Sequence, residues 1–342
     1  MNPNLFKIAT KELHQDAFIT WLLQWADPVY KSSELHLCAQ DFVKQLIGKY
    51  SNAGILSIDK VVAGRQWENI DVWVEVNDEY LIIIEDKTFS SEHSNQLLTY
   101  KSASEAWCKE HNFANLVCIY LKTGSESKRS LDNIKDKGFK LFDRTDFINL
   151  LLAYPEIKNN IFIDFREHLI DLDSAYRAFE SNVVGDWAKF GYAWPGFYQF
   201  IEKEIDGFVN WFWVNNPSRG FWGAILLWSY YKGFPVYVQI EQERLCFKIG
   251  FDPEELDTEE DFDANVIQDE WQGVILKGAA ERGLSVIKRP SRYVHGGNSR
   301  TVAYVESKDW LNNEAQKIDK VKVIEKLEQF IQFQKDVTKQ SV

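Results

Sequence analysis

Apolar positions along the first 155 residues repeat with two periods. Ala17, Phe18, Trp21, Leu22 and Trp25 recur at intervals of three and four. This predicts an amphipathic helix with Thr10 as its N-cap and Asp27-Pro28 as its stop. Leu35, Phe42, Leu46 and Ile47 predict a second helix. From Ile55 onward the texture changes to short runs of β-branched and aromatic residues, which predict strands over 55–64, 69–76 and 80–87. The polar turn Asn77-Asp78-Glu79 makes an antiparallel hairpin of the last two. Ser90 or Ser91 is placed to cap a helix running to about His111. A buried strand over 114–121, a polar loop over 122–130, a short strand over 139–142 and a helix from Asp146 follow. The order helix, three strands, helix, strand predicts a mixed sheet covered by helices.

After about Ser174 tryptophans crowd the chain, and strand patterns recur over 224–231, 236–241, 245–251, 284–288 and 301–306. A charged amphipathic helix from about Ile318 closes it. These shifts predict two domains, residues 1–174 and an aromatic-rich α+β domain over 175–342. The tryptophans of 210–231 are expected to build a core, since aromatic side chains bury large areas. The acidic segment 252–270 lacks the glycine and ligand spacing of a calcium loop and is expected to be a solvated loop.

Composition narrows the function. At 342 residues the chain exceeds one ordinary core, and its hydrophobic fraction of 45% can build two. No apolar stretch approaches the roughly 20 residues of a membrane span, and the N-terminus does not resemble a secretory signal, so a cytoplasmic chain without membrane contact is expected. Cys38, Cys108, Cys118 and Cys246 are widely spaced, which favours reduced core thiols over a metal site. A net charge of −12 opposes bulk attraction to nucleic acid, so a polyanion needs a local basic groove or a bound cation. The most cationic stretch, 287–300, carries Lys288, Arg289, Arg292 and Arg300 around Tyr293. Arginine beside an aromatic ring suits phosphate contact and base stacking, and an ordinary solvated loop is the alternative.

The chemistry sits at the end of the predicted hairpin. The apolar run Leu81 to Ile84 ends in Glu85, Asp86 and Lys87. Strand side chains alternate, so Glu85 and Lys87 project from one face and Asp86 from the other. With the turn centred on Asp78, Asp71 falls opposite Glu85. Two carboxylates held close resist joint ionisation unless a cation lies between them, and hard oxygen ligands suit Mg²⁺ or Mn²⁺. A cross-strand salt bridge at a sheet edge is the alternative. Gln96 and Tyr100, four residues apart, share one face of the following helix.

This set resembles the PD-(D/E)xK nuclease superfamily of restriction-type endonucleases and RecB-like exonucleases. Asp71, the Glu85-Asp86-Lys87 triplet, and Gln96 with Tyr100 carry the likeness over roughly residues 5–155, with Ile70 where the family name has proline. The resemblance implies an α/β, restriction-endonuclease-like mixed sheet flanked by helices in α-β-β-β-α-β order. It also implies Asp71 and Glu85 as metal ligands with the Asp86 backbone carbonyl, Lys87 as catalytic lysine, and Glu12 of the opening helix as an auxiliary acid. Gln96 and Tyr100 would approach the site and the nucleic-acid backbone. The function implied is Mg²⁺-dependent cleavage of DNA, with RNA and homo-oligomers left open and defence or restriction as its setting. A catalytically inactive nucleic-acid-binding module on the same fold is the alternative.

Overall fold

The computed structural model describes residues 3–50, 57–92, 95–215, 220–259, 261–312 and 315–340. The chain divides into two compact units, one of Met1–Glu126 with Ser130–Ser174 and one of Ser127–Arg129 with Ala175–Val342.

The first unit is built on a five-stranded sheet in sequential order: β1 (Val61–Trp67), β2 (Ile70–Val76), β3 (Tyr80–Lys87), β4 (Asn115–Lys122) and β5 (Lys140–Asp143). β1, β2 and β3 pair antiparallel, whereas β4 and β5 continue the sheet in parallel. The unbroken apolar run of β3 follows from its central place, buried on both faces. Helices α1 (Glu12–Gln24) and α2 (His36–Gly48) cover one face, where Phe18, Leu22 and Leu46 pack with Val72, Val74, Ile82 and Ile84. Helix α3 (Gln96–His111) covers the other, where Leu97 and Cys108 pack with Leu81, Ile83 and Tyr120. The hairpin turn puts Asn77 and Asp78 in the left-handed region, at φ 56° and 54°, which Asn and Asp tolerate best among non-glycine residues. The Asn77 side chain accepts from the Asp59 and Lys60 amides and so anchors the turn.

Several boundaries differ from expectation. Helix α1 is capped at Lys11, whose amide donates to the His14 ring, in place of Thr10. The strand expected from Ile55 is described from Val61; residues 55 and 56 lie outside the described residues. Neither Ser90 nor Ser91 caps α3, which begins at Gln96 after Asn95 in the left-handed region. The turn at 88–90 is held instead by the Glu12 carboxylate, a contact across 76 residues that local pattern cannot reveal. The polar loop is shorter than expected because helix α4 (Lys128–Asp136) starts within it. Helices α5 (Arg144–Leu152) and α6 (Asn160–Tyr176) follow, α5 capped by the Asp143 carboxylate on the Asp146 amide.

The second unit carries helix α7 (Ala193–Glu204) and strands β6 (Asn210–Val214), β7 (Phe221–Tyr231), β8 (Phe234–Glu241) and β9 (Arg244–Gly250). Helix α8 (Ala264–Glu281), β10 (Ser299–Glu306) and helix α9 (Lys320–Gln340) complete it. The sheet is antiparallel throughout in the order β10-β9-β8-β7-β6. Its core holds Trp187, Trp194, Trp211, Trp271 and Trp310. Trp213 is 47% exposed, so the tryptophans of 210–231 do not all enter it. The acidic segment is not all loop, because Asp263 caps α8, which starts within it and continues beyond it with an apolar face of Ile267, Trp271 and Ile275. The strand expected over 284–288 is a single bridge between Lys288 and Tyr304.

Candidate active site

Val72 pairs with Ile84 in the β2–β3 ladder, and the next step of that register sets Asp71 opposite Glu85. The sheet face under α3 therefore gathers Asp71, Glu85 and Lys87 at one strand end. Lys87 Nζ lies 2.5 Å from Glu85 Oε1 and 3.8 Å from Asp71 Oδ2. Asp71 Oδ2 also accepts from the Asp86 amide at 3.0 Å. Gln96, in the first turn of α3, donates to Glu85 Oε1, and Tyr100 lies one turn further along the helix. Burial and the Glu85 carboxylate raise the Tyr100 phenol above its usual pKa.

The electrostatics are those of two carboxylates held close in a buried setting. Glu85 is 1% exposed, and burial together with the Asp71 charge pushes its carboxyl up to about 8, against the pull of Lys87. Burial works against the Lys87 ammonium, yet the Glu85 and Asp71 carboxylates raise its pKa above the usual lysine value. Glu85 Oε2 is buried without a hydrogen-bond partner. Among the described residues no three His, Cys, Asp or Glu side chains form a cage for a metal ion. Mg²⁺ does not need one, because it binds through one or two carboxylates and completes its shell with water and substrate phosphate. Asp71 and Glu85, the latter with its buried, unpartnered Oε2, fit that donor set.

Asp86 points to the opposite face, beneath α1. Its Oδ1 accepts from Gln15 Nε2 at 2.5 Å, and Gln15 Oε1 accepts from the Thr123 hydroxyl at 2.9 Å. Burial and the Asp16 carboxylate hold the Asp86 carboxyl well above the usual range, and burial with the Asp71 charge pushes Asp16 up to about 6. Glu12 lies at the start of the same helix, where its Oε1 accepts from the Thr88, Phe89 and Ser90 amides at 2.8–3.3 Å. These bonds, with the Ser90 hydroxyl, outweigh burial and lower the Glu12 pKa. Glu12 thus fastens the turn that follows Lys87. Lys122, buried at the end of β4, donates to the Ser90 carbonyl at 2.5 Å and fastens that turn from the other side.

Gln15, Asp16 and Lys122 are the polar residues that the sequence pattern did not single out. The first two had a signal: they follow Glu12 by three and four positions, on one helical face of an otherwise apolar element. Lys122 ends a buried strand as Lys87 does, and only the parallel pairing of β3 with β4 brings the two ends together.

The cationic stretch of the second unit divides. Arg300 turns inward, donating to Gly297, Asn265 and Gln268 with its guanidinium 4.5 Å above the Phe251 ring. Lys288 lies 3.6 Å from Glu306, and Arg289 stands 4.9 Å over the Tyr293 ring. Arg292 is exposed.

A family model described as the PD-(D/E)XK nuclease superfamily matches residues 3–192, more than half of the chain. The chain belongs to this superfamily. Searches of curated proteins and of solved structures return no match. The five-stranded mixed sheet flanked by helices is the fold expected of the superfamily, with a second, antiparallel sheet added to it. Membership implies a nuclease acting on nucleic acid in general, in a family that generally uses divalent metals. Among the described residues no helix is long and apolar enough to cross a membrane.

Proposed function

We propose that the protein is a Mg²⁺- or Mn²⁺-dependent nuclease that hydrolyses phosphodiester bonds in DNA. The observation that carries this reading is the convergence of Asp71, Glu85, Lys87 and Gln96, with the unpartnered Glu85 oxygen among them. Asp71, Glu85 and the backbone carbonyl of Asp86 would hold the ion, whose chemistry is to stabilise charge on a phosphoryl oxygen and make bound water more acidic. Lys87 stays an ammonium at neutral pH, so it acts as a donor that orients the attacking water and offsets charge developing on the phosphate. Gln96 steers the Glu85 carboxylate, Tyr100 flanks it, and Glu12 keeps the turn after Lys87 in place. Restriction or defence against foreign DNA is the setting we assign to such an activity.

The test incubates the purified protein with linear, circular and single-stranded DNA and with RNA, in Mg²⁺, Mn²⁺ or EDTA. Cleavage of DNA that EDTA abolishes is expected. Lys87→Ala should lower the rate at least about a hundredfold, equivalent to roughly 3 kcal/mol of barrier. Binding without cutting in every metal would replace this reading with a non-catalytic nucleic-acid-binding module, and faster cutting of RNA would reassign the substrate.

A further inference from the structure

On the sheet face that bears the carboxylates, extending toward the 77–79 hairpin turn, lies a half-open pocket of about 210 Å³ lined by Trp67, Trp73, Glu75, Leu81 and Trp107. Two of its indoles are held by neighbours outside that lining. Trp73 lies against Gly64 of β1, where a Cβ would come within 2.5 Å of the ring. Trp107 stacks on His111 at 4.3 Å and packs on Phe113 at 4.8 Å, while meeting Trp67 edge-on at 5.7 Å. All three tryptophans are half-buried and so present ring surface to the opening. Burial raises the Glu75 carboxyl above its usual pKa, so a ligand that donates hydrogen bonds to it would restore part of the solvation it has lost.

We propose that this pocket receives an unstacked nucleobase from the strand whose backbone occupies the Asp71–Glu85–Lys87 site, with the indoles supplying stacking surface and Glu75 accepting from an exocyclic amino group. The inference rests on the nuclease reading above and adds to it a preference for unpaired strand. Asp71, Trp73 and Glu75 are alternate residues of β2, which sets the pocket about 7–13 Å along the strand from Asp71. One or two nucleotides of extended single strand span such a distance. A duplex keeps its bases paired and stacked, so only single strands, frayed ends or an extruded base can fill the pocket. A quaternary ammonium is the other ligand that an aromatic pocket with a carboxylate would take. The nucleobase is favoured because the pocket continues the sheet face that bears the two carboxylates.

The experiment follows fluorescence anisotropy of a labelled single-stranded deoxyoligonucleotide. It is run in EDTA, where no cleavage intervenes, and again in Mg²⁺ with every protein carrying Lys87→Ala. Trp107→Ala should weaken binding about tenfold. Trp107→Phe, which keeps a ring, should stay within about threefold of the parent. Oligo(dC) should bind more tightly than oligo(dT), which has no exocyclic amino group, and Glu75→Ala should remove that difference. A melting temperature is taken for each variant; should Trp107→Ala fail to fold, Trp67→Ala and an abasic strand offered to the parent protein decide the matter. The proposal is overturned by a folded Trp107→Ala that binds like the parent, by equal binding of the abasic strand, by tetramethylammonium that perturbs the indole fluorescence yet weakens strand binding no more than equal NaCl does, or by no strand binding in either condition. Failure of the nuclease reading looks different: no cleavage in any metal while ring-dependent strand binding persists.

Discussion

At Glu85 a single carboxyl carries the tension of the whole site. It is buried, faces Asp71, and is pushed up to about 8, while Asp16 behind the strand is pushed up to about 6. Both groups hold a proton more tightly in the folded chain than in the unfolded one, whose carboxyls titrate at about pH 4. Their contribution to stability is therefore complete below about pH 4 and is lost as pH rises through about 6 for Asp16 and about 8 for Glu85. Without divalent cation, the melting temperature should fall by several degrees between pH 5 and pH 8, and Glu85→Gln should flatten the upper part of that fall. Mg²⁺ or Mn²⁺ should raise the melting temperature more at pH 8 than at pH 5, because an ion competes with the proton for the same oxygens. A metal response of equal size at both pH values would speak against Glu85 as a ligand. Glu12 has the opposite sign, since its pKa is lowered, and its stabilising bonds to the 88–90 turn are lost only as pH falls below about 4. Glu12→Ala should cost about 1–3 kcal/mol in urea unfolding, because three amides lose their acceptor.

Among the elements, β3 was the most legible and the start of α3 the least. Four consecutive apolar residues with charges at their end specify a central strand wherever it lies, and β3 runs over the residues that pattern predicts, Tyr80–Lys87. Ile84 is fully buried between β2 and the helices above, so Ile84→Ala should cost about 2–5 kcal/mol by chemical denaturation. Gly64 is a quieter case. Nothing in its sequence context marks it, yet a Cβ there would collide with the Trp73 ring, so Gly64→Ala should destabilise by about 1–3 kcal/mol. In the second unit, Arg300 reads from sequence as one of several surface cations and proves to be a clamp between β10 and α8. Arg300→Ala should therefore lower the melting temperature by a few degrees, whereas Arg292→Ala, at an exposed position, should leave it unchanged. Both changes can be read in one thermal-shift series.

For the molecule as a whole, a net charge of −12 sets the terms on which any polyanion approaches. Neutralising Asp71 and Glu85 with an ion removes repulsion where a phosphate must come closest. Oligonucleotide affinity should accordingly rise when Mg²⁺ replaces EDTA in the Lys87→Ala protein, and should weaken with added monovalent salt. The sequence by itself determined the strand and helix types of the first unit, the hairpin register that sets Asp71 opposite Glu85, and the alternation that parts Glu85 and Lys87 from Asp86. All of these follow from short-range periodicity, which any stretch of chain carries within itself. Only the tertiary structure decided that Glu12 and Lys122 fasten the turn after Lys87 from two sides, that Gln15 and Asp16 back the Asp86 carboxyl, and that three tryptophans from β1, β2 and α3 share one pocket. Those relations depend on which distant residues are brought into contact, and contact across the fold is set by packing of the assembled layers, which no local period encodes.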